Sequence, residues 1–469
     1  MKSVLKNLLA LSLCSMIVSS CGSVSGINSQ SETVEANSWF NKPTPVVLSH
    51  STVVTKNNNA SLLVDRDQIF TEMYNIIDHA KKKIYITTYL FGDSIGHKIA
   101  EKLIAKKKEG VEIKFVAEET MGYLPQLVNP AEKEYKFLVA NGVAVKFFPV
   151  ELMPKGPTFL SNRKLINHSK MVVADESVAI IGGMNYKDSE AINHDYMVRI
   201  EGNAAKELSK IGDDNWEKSR PIRIGNSGNN LPVSTPEVPS LPVPVPASNS
   251  GSSMVEIAQT GFKEQSIGDM VIRYFNNAKR SISVEMLLMD NQEVVKALVR
   301  AKNRGVKVRI ILDEIEFGKY NKIIDRIPLE GMANFGSVTS LIGAEIPVRW
   351  YVSRQKDSML HAKAAMVDNQ TLIVGSANFT YHALTRNHEV SIAVNNSNVA
   401  NAFGKTFEQD WSVNSKPAQL TDAQKQIGKI FQKFFYLIYE DKTEEEILNE
   451  IRASNPVLNS LLSDGLFEN

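Results

Sequence analysis

Asn167-His168-Ser169-Lys170-Met171-Val172-Val173-Ala174-Asp175, followed by Gly182-Gly183-Met184-Asn185, returns later in the chain as Leu360-His361-Ala362-Lys363-Ala364-Ala365-Met366-Val367-Asp368 and Gly375-Ser376-Ala377-Asn378. Histidine and asparagine are 17 positions apart in both copies, and the two histidines are separated by 193. Side chains two apart on a strand point the same way, so each histidine shares a face with its lysine while Ser169 and Ala362 turn inward. The apolar residues 171–174 and 364–367 bury the strand. Asp175-Glu176-Ser177 and Asp368-Asn369-Gln370 carry turn chemistry, and residues 178–181 and 371–374 return, bringing Asn185 and Asn378 back toward the histidines. One H-x-K is an almost worthless signal. Two copies with identical internal spacing define a duplicated fold.

More than the motif repeats. Ala80-Lys81-Lys82-Lys83-Ile84-Tyr85-Ile86 corresponds to Ala278-Lys279-Arg280-Ser281-Ile282-Ser283-Val284, and residues 110–116 (GVEIKFV) correspond to 305–311 (GVKVRII). Helices with lysine-rich outer faces lie between them (98–108 and 296–304), and a third strand follows at 143–148 and 346–351. Each half reads helix–strand–helix–strand, a further strand, then the hairpin carrying the motif. This predicts an α/β fold of two pseudo-two-fold related halves, each a mixed β-sheet flanked by helices, packed face to face. The expected division is a signal at 1–20, a Ser/Asn/Gly-rich tether at 21–46, half 1 at 47–224, a linker at 225–253, half 2 at 254–418 and a helical extension at 419–469. The linker holds six prolines between Pro232 and Pro246, which cannot continue a helix or donate to a ladder. Thr421 with Gln424 and Thr443 with Glu446 read as capping boxes of the extension. The apolar face of its first helix (Ile427, Ile430, Phe431, Phe434, Phe435, Ile438) reads as packing on half 2, with a membrane-surface helix as the alternative.

The repeated residues fit phosphodiester chemistry without a metal. One imidazole attacks phosphorus only when neutral, while the other must carry a proton for the departing alcohol. Like-charge repulsion across a bound phosphate drives the two apart. Lys170, Lys363, Asn185 and Asn378 surround the oxygens on which negative charge grows, so His168, Lys170, Asn185, His361, Lys363 and Asn378 are the candidate catalytic set. Gly182, Gly183 and Gly375 leave room for a phosphate to approach the backbone. Asn193-His194-Asp195 and Asn387-His388-Glu389 recur just beyond each motif. Asp195 and Glu389 are candidates to accept an imidazole proton and fix its tautomer, and His194 and His388 read as structural or rim residues. Gly92-Asp93-Ser94-Ile95-Gly96 matches G-x-S-x-G but has no accompanying oxyanion segment, so Ser94 reads as a helix start.

Duplicated H-x-K-x4-D with G-G/S-x-N is similar to the phospholipase D superfamily over residues from about 60 to 415. The Asn-His-Ser-Lys opening and Gly-Gly-Met-Asn close of the first copy resemble cardiolipin synthases. The resemblance implies a site between the halves, a covalent phosphohistidine, and no metal or other cofactor. It also implies His168 as nucleophile, His361 as acid and then base, and a supporting role for Asp175 and Asp368. The expected reaction cleaves or exchanges a phospholipid head group: water yields phosphatidic acid, an alcohol yields a new phosphodiester. The alternative is an exported metal-independent endonuclease of the same superfamily. Residues 150–160 and 315–335 are candidate lipid-side walls, with Arg163 and Lys164 near the head group.

At 469 residues the chain predicts two or three domains, and 43% apolar with 22% charged residues is ordinary for a globular protein. The formal charge is +1; without Lys2 and Lys6 of the first twenty residues it becomes 51 basic against 52 acidic groups. A near-neutral body disfavours nucleic acid as partner and leaves a phospholipid substrate as the expectation. The apolar run 8–18 falls short of the roughly 20 residues that span a bilayer. It leads into Val18-Ser19-Ser20-Cys21-Gly22, which resembles a bacterial lipobox with Cys21 as the lipidated residue. Cys14, the other cysteine, lies inside this signal, so the exported chain forms no internal disulfide. The resemblance implies an exported lipoprotein tethered to a membrane, with the absence of Asp after Cys21 favouring the outer membrane and its periplasmic face.

Overall fold

The structure is a computed structural model; it describes residues 50–118, 131–148, 166–222, 253–261, 264–314, 332–355 and 358–422, with Gln424, Lys425 and Gly428. Half 1 runs β1 (Val53–Val64), α1 (Asp65–His79), β2 (Lys83–Thr88), α2 (Asp93–Lys108), β3 (Glu112–Ala117), α3 (Ala131–Ala140), β4 (Ala144–Phe147), β5 (Met171–Ala174), β6 (Val178–Gly182), α4 (Asp188–Ala191), β7 (Tyr196–Gly202), α5 (Asn203–Lys218) and β8 (Arg220–Pro221). Half 2 repeats it: β9 (Ser253–Gly261), β10 (Glu264–Gln265), α6 (Ser266–Asn277), β11 (Ser281–Met286), α7 (Gln292–Asn303), β12 (Lys307–Leu312), α8 (Met332–Gly343), β13 (Val348–Tyr351), β14 (Lys363–Val367), β15 (Thr371–Gly375), α9 (Tyr381–Thr385), β16 (Glu389–Asn395), α10 (Ser397–Ser412) and β17 (Ser415–Pro417). The small β10 is the one element without a counterpart among the described residues.

The α/β class follows from the pattern. β2, β3 and β4 pair in parallel, with Ile84 opposite Ile113 and Phe115 opposite Val145, and helices cover the crossovers. Strands covered on both faces need near-continuous apolar sequence, which Ile84, Tyr85 and Ile86 supply. β5 then runs antiparallel to β2 and opens the β5–β6–β7 meander. The β5–β6 turn places both Asp175 (φ 53°) and Glu176 (φ 57°) in the left-handed region, and Asp368 (φ 56°) with Asn369 (φ 54°) repeats it between β14 and β15. Two consecutive positive φ angles are those of a type I′ turn, closed by Ser177 N–H on the Ala174 carbonyl at 3.1 Å and by Gln370 N–H on the Val367 carbonyl at 3.0 Å.

The halves are joined by more than facing surfaces. The strands pair in one line, β8-β4-β3-β2-β5-β6-β7-β1-β9-β16-β15-β14-β11-β12-β13-β17, whose middle step sets Val53 of β1 against Ile257 of β9. Face-to-face packing is present too. One apolar cluster mixes Tyr85, Met171 and Leu208 of half 1 with Ile311, Ala364 and Phe403 of half 2, between the outer cores of each half. Burying a Val, Leu, Ile or Phe side chain there contributes about 1.5–3 kcal/mol each. The sequence reading omits β1, β7, β9 and β16, the strands that build this seam. α10, the equivalent of α5, ends at Ser412 just past Trp411, and half 2 continues through β17. Thr421 and Gln424 form the expected capping box, each backbone N–H bonded by the other's side chain. Thr443 and Glu446, the first twenty residues with Cys21, the tether, the linker 225–252, residues 150–160, 315–331, Arg163, Lys164 and the apolar positions 427–438 lie outside the described residues. Of the second expected wall, residues 332–335 instead open α8, with Phe335 buried in the half-2 core.

Candidate active site between the halves

Each histidine of the repeated motif is held by backbone from the other half. His168 N–H donates to the His388 carbonyl, and His388 N–H to the Ile166 carbonyl, both at 2.9 Å. In mirror fashion His361 N–H donates to the His194 carbonyl and His194 N–H to the Met359 carbonyl, again at 2.9 Å. The residue ahead of each histidine is pinned as well: Asn167 N–H donates to Glu118 at 2.5 Å and Leu360 N–H to Asp313 at 2.7 Å. Glu118 and Asp313 just follow β3 and β12. Sequence reading passes over them, and their one signal is an acid at the same place after matched strands.

The side chains cross the seam in the same way. His361 Nδ1 lies 2.6 Å from the carboxylate of Asp195 of half 1. His168 Nδ1 lies 3.1 Å from Glu389 of half 2 and 3.1 Å from the Ser376 carbonyl. A carbonyl only accepts, so Nδ1 of His168 carries the proton and Nε2 keeps its lone pair. Lys170 and Lys363 each donate to the carbonyl of the histidine two residues before, and the Lys170 ammonium also sits 5.2 Å from the ring centre of Tyr89, which packs edge-on against His168. Asn185 accepts from Leu90 N–H at 3.3 Å and donates to Glu190 at 3.2 Å. Asn378 is buried, and its Oδ1 has no hydrogen-bond partner among the described residues.

One expected detail is corrected. Gly182, Gly183 and Gly375 face protein, not an open phosphate path. A side chain at 183 would strike the Asp195 carboxylate, one at 182 the Tyr196 carbonyl, and one at 375 Ser391. These glycines let β7 and β16 bring the orienting acids close. Asp175 and Asp368 sit at the opposite end of their strands from the lysines. Asp175 accepts from the N–H groups of Lys81, Lys82 and Lys83, and Asp368 from those of Lys279, Arg280 and Ser281, so both staple a hairpin turn to the neighbouring strand. His194 and His388 are buried inside the seam, the structural one of the two places expected for them. Ser94 does start α2, where Asp188 bonds its hydroxyl and the Ile95 N–H.

Burial sets the electrostatics. His168 is pushed well below the ordinary histidine value by desolvation, then by the charges of Lys170, Lys363 and His361, so those four groups converge. His361 is lowered by burial and Lys363, against which Asp195 pulls upward. Burial brings Lys170 to about 7 and Lys363 to about 8, and raises Glu389 to about 7. An anion between these groups would restore charge to the lysines. The arrangement offers a neutral imidazole with a free Nε2, a second imidazole held by a carboxylate, and two cations: a set suited to in-line displacement at a phosphodiester.

Residues 73–216 and 271–411 each match the family described as cardiolipin synthase, PLD-like domain. Cardiolipin synthase 2 of Staphylococcus epidermidis is 26% identical over 79% of this chain and 72% of its own length. A cardiolipin synthase of Clostridium perfringens is 26% identical over 77% of this chain and 72% of its own. Among solved structures, the phosphatidylserine synthase of Haemophilus influenzae superposes with a TM-score of 0.60 at 15% identity, covering 81% of this chain and 93% of its own, a likeness of fold.

Proposed function

This chain belongs to the cardiolipin synthase family of PLD-like domains, and from that premise we propose that it transfers phosphatidyl groups between alcohols, exchanging phospholipid head groups through a covalent phosphohistidine. The observation that carries the reading is the convergence of two H-x-K motifs, each imidazole held on Nδ1 by an acid of the other half. His168 Nε2 attacks phosphorus, and His361 gives its Nε2 proton to the departing head-group oxygen as the P–O bond breaks. The incoming alcohol then loses its proton to His361 while its oxygen displaces His168. Lys170, Lys363, Asn185 and Asn378 face the non-bridging oxygens. Water in place of the alcohol gives phosphatidic acid.

The Lys2, Lys6 and Cys21 pattern supports an exported lipoprotein held at a membrane, which would bring the site to its substrate. Among the described residues no helix is long and apolar enough to cross a membrane. Incubation with phosphatidylglycerol vesicles and chelator should yield a new phosphodiester lipid and free glycerol. Turnover of single-stranded DNA with no change in the vesicles would favour the endonuclease reading instead. Incorporation of labelled fatty acid that disappears in Cys21→Ala tests the anchor.

A further inference from the structure

His194 stays out of reach of the ester in this scheme, yet it sits at the hub of the half-1 grip on His361. Its own N–H and carbonyl make the two backbone bonds to Met359 and His361, and the adjacent Asp195 orients the His361 ring. Its imidazole is buried and stacked on Tyr351, with planes 11° apart. Nδ1 lies 2.6 Å from Asp65 at the start of α1. Nε2 lies 2.9 Å from the Tyr196 hydroxyl, 3.2 Å from Asp410 of α10 and 3.6 Å from Glu285 of β11. The Tyr196 hydroxyl spends its proton on Glu285 at 2.5 Å, so it can only accept from Nε2. Both ring nitrogens face acceptors, and the ring fits as an imidazolium. Although burial alone would discharge it, Asp410, Asp65 and Glu285 hold its proton well above the ordinary histidine range. Arg354 adds a second cation, bonded to Asp410 and Asp65. His194, Glu285 and Asp410 are also close enough together to hold a metal ion, but the Tyr196 hydroxyl beside Nε2 and Arg354 on Asp410 already fill that role with hydrogen bonds. At the matching place in the other half, His388 stacks on Phe148 and accepts from Asn215 Nδ2 at 2.9 Å, and burial first of all lowers it to about 4: a neutral ring.

We propose that His194 is a positioning residue for proton transfer at His361: as a buried cation it neutralises Asp65, Glu285 and Asp410 and so fixes the strand and the carboxylate that aim the His361 ring. This rests on the phosphatidyl-transfer reading above. The test measures first-turnover release of the leaving group from two esters. Phosphatidylglycerol expels an alkoxide that needs a proton, whereas a p-nitrophenyl phosphodiester expels an anion that does not. His194→Gln, which removes the charge, should lose about 30-fold or more on the first ester and less than about 5-fold on the second, in line with the usual worth of a general acid. His194→Gln/Asp410→Asn, which removes one charge of each sign, should regain about tenfold on phosphatidylglycerol, a recovery that pairs in one charge network show. His388→Gln should slow both esters alike. If His194→Gln fails to fold, the double variant read against Asp410→Asn alone carries the comparison. Equal losses of His194→Gln on the two esters, or no recovery in the double variant, would overturn the proposal. Wild type that turns over neither ester would end the phosphatidyl-transfer reading with it, whereas an active wild type with equal losses ends the proposal alone.

Discussion

Behind His361 lies a charged pocket and behind His168 a neutral one, although the residues that build them stand at matching places. Glu285 and Thr87 are each the fifth residue of their strand, β11 and β2. Asp410 and Asn215 each precede the tryptophan of their helix, Trp411 and Trp216. Gly183 stands opposite Asp195, where Ser376 donates to Glu389 at 2.5 Å. Asp195 gives His361 a single short carboxylate contact. His168 shares Nδ1 between Glu389 and a carbonyl, both at 3.1 Å. The backbone geometry has stayed two-fold while the chemistry has parted, one ring surroundings suited to giving a proton and the other to staying without one.

That difference makes definite claims. His168→Ala should cut turnover by on the order of 10⁴-fold or more, as loss of a nucleophile does. Rapid quench with labelled phosphatidylglycerol should find acid-labile phosphoenzyme in the wild type and none in this variant. Label retained there and lost in His361→Ala would exchange the two roles. Asp195→Asn should cost on the order of 10²–10³-fold in kcat and Glu389→Gln only about tenfold, because His168 keeps the Ser376 carbonyl when Glu389 is changed. The reverse order, read from steady-state kinetics, would make His168 the ring that depends on its acid.

The pH dependence follows from the same contrast. His168 stays neutral far below pH 6.5, whereas His361, lowered from 6.5, loses its proton as pH rises. In the free enzyme kcat/KM should therefore be highest on the acid side of pH 6.5, and Lys170 near 7 and Lys363 near 8 should steepen the fall above neutrality. A bound ester anion favours protonated His361, so the kcat profile should lie at higher pH than that of kcat/KM. Glu389, raised to about 7, binds its proton more tightly folded than unfolded. Its contribution to stability is present below the unfolded carboxyl value and lost as pH rises toward 7. Thermal unfolding of Glu389→Gln should lack that downward slope. Mildest of all, Asp175→Asn or Asp368→Asn should lower stability by about 1–3 kcal/mol through lost bonds to backbone N–H groups. Turnover per folded molecule should hardly move, and a change in kcat would place these acids in the chemistry.

Much of this was legible in the residues. The spacing of His168 and Asn185, repeated at His361 and Asn378, located the duplication and the residues that gather at the seam, and residues 80–86 and 110–116 with their counterparts located the parallel strands. The seam was not legible. After Val53 and Val54, β1 runs through the polar Thr55-Lys56-Asn57-Asn58-Asn59, whose strand character comes from pairing with β7 and β9 rather than from its own pattern. Nor could spacing tell whether Asp195 serves the histidine 27 positions before it or the one in the other copy, because Glu389 stands 28 positions after His361. Glycines that accommodate a carboxylate and glycines that accommodate a phosphate look the same in a one-dimensional string.

The exchange of carboxylates across the seam has a consequence for how such a protein can change. A dimer of identical half-chains would be obliged to put the same residue behind both rings, so any improvement for an attacking group would be imposed on its partner. Carrying both copies in one polypeptide lifts that obligation and permits a division of labour. It also couples their fates, since a lesson learned in either copy is expressed in the reactivity of the other.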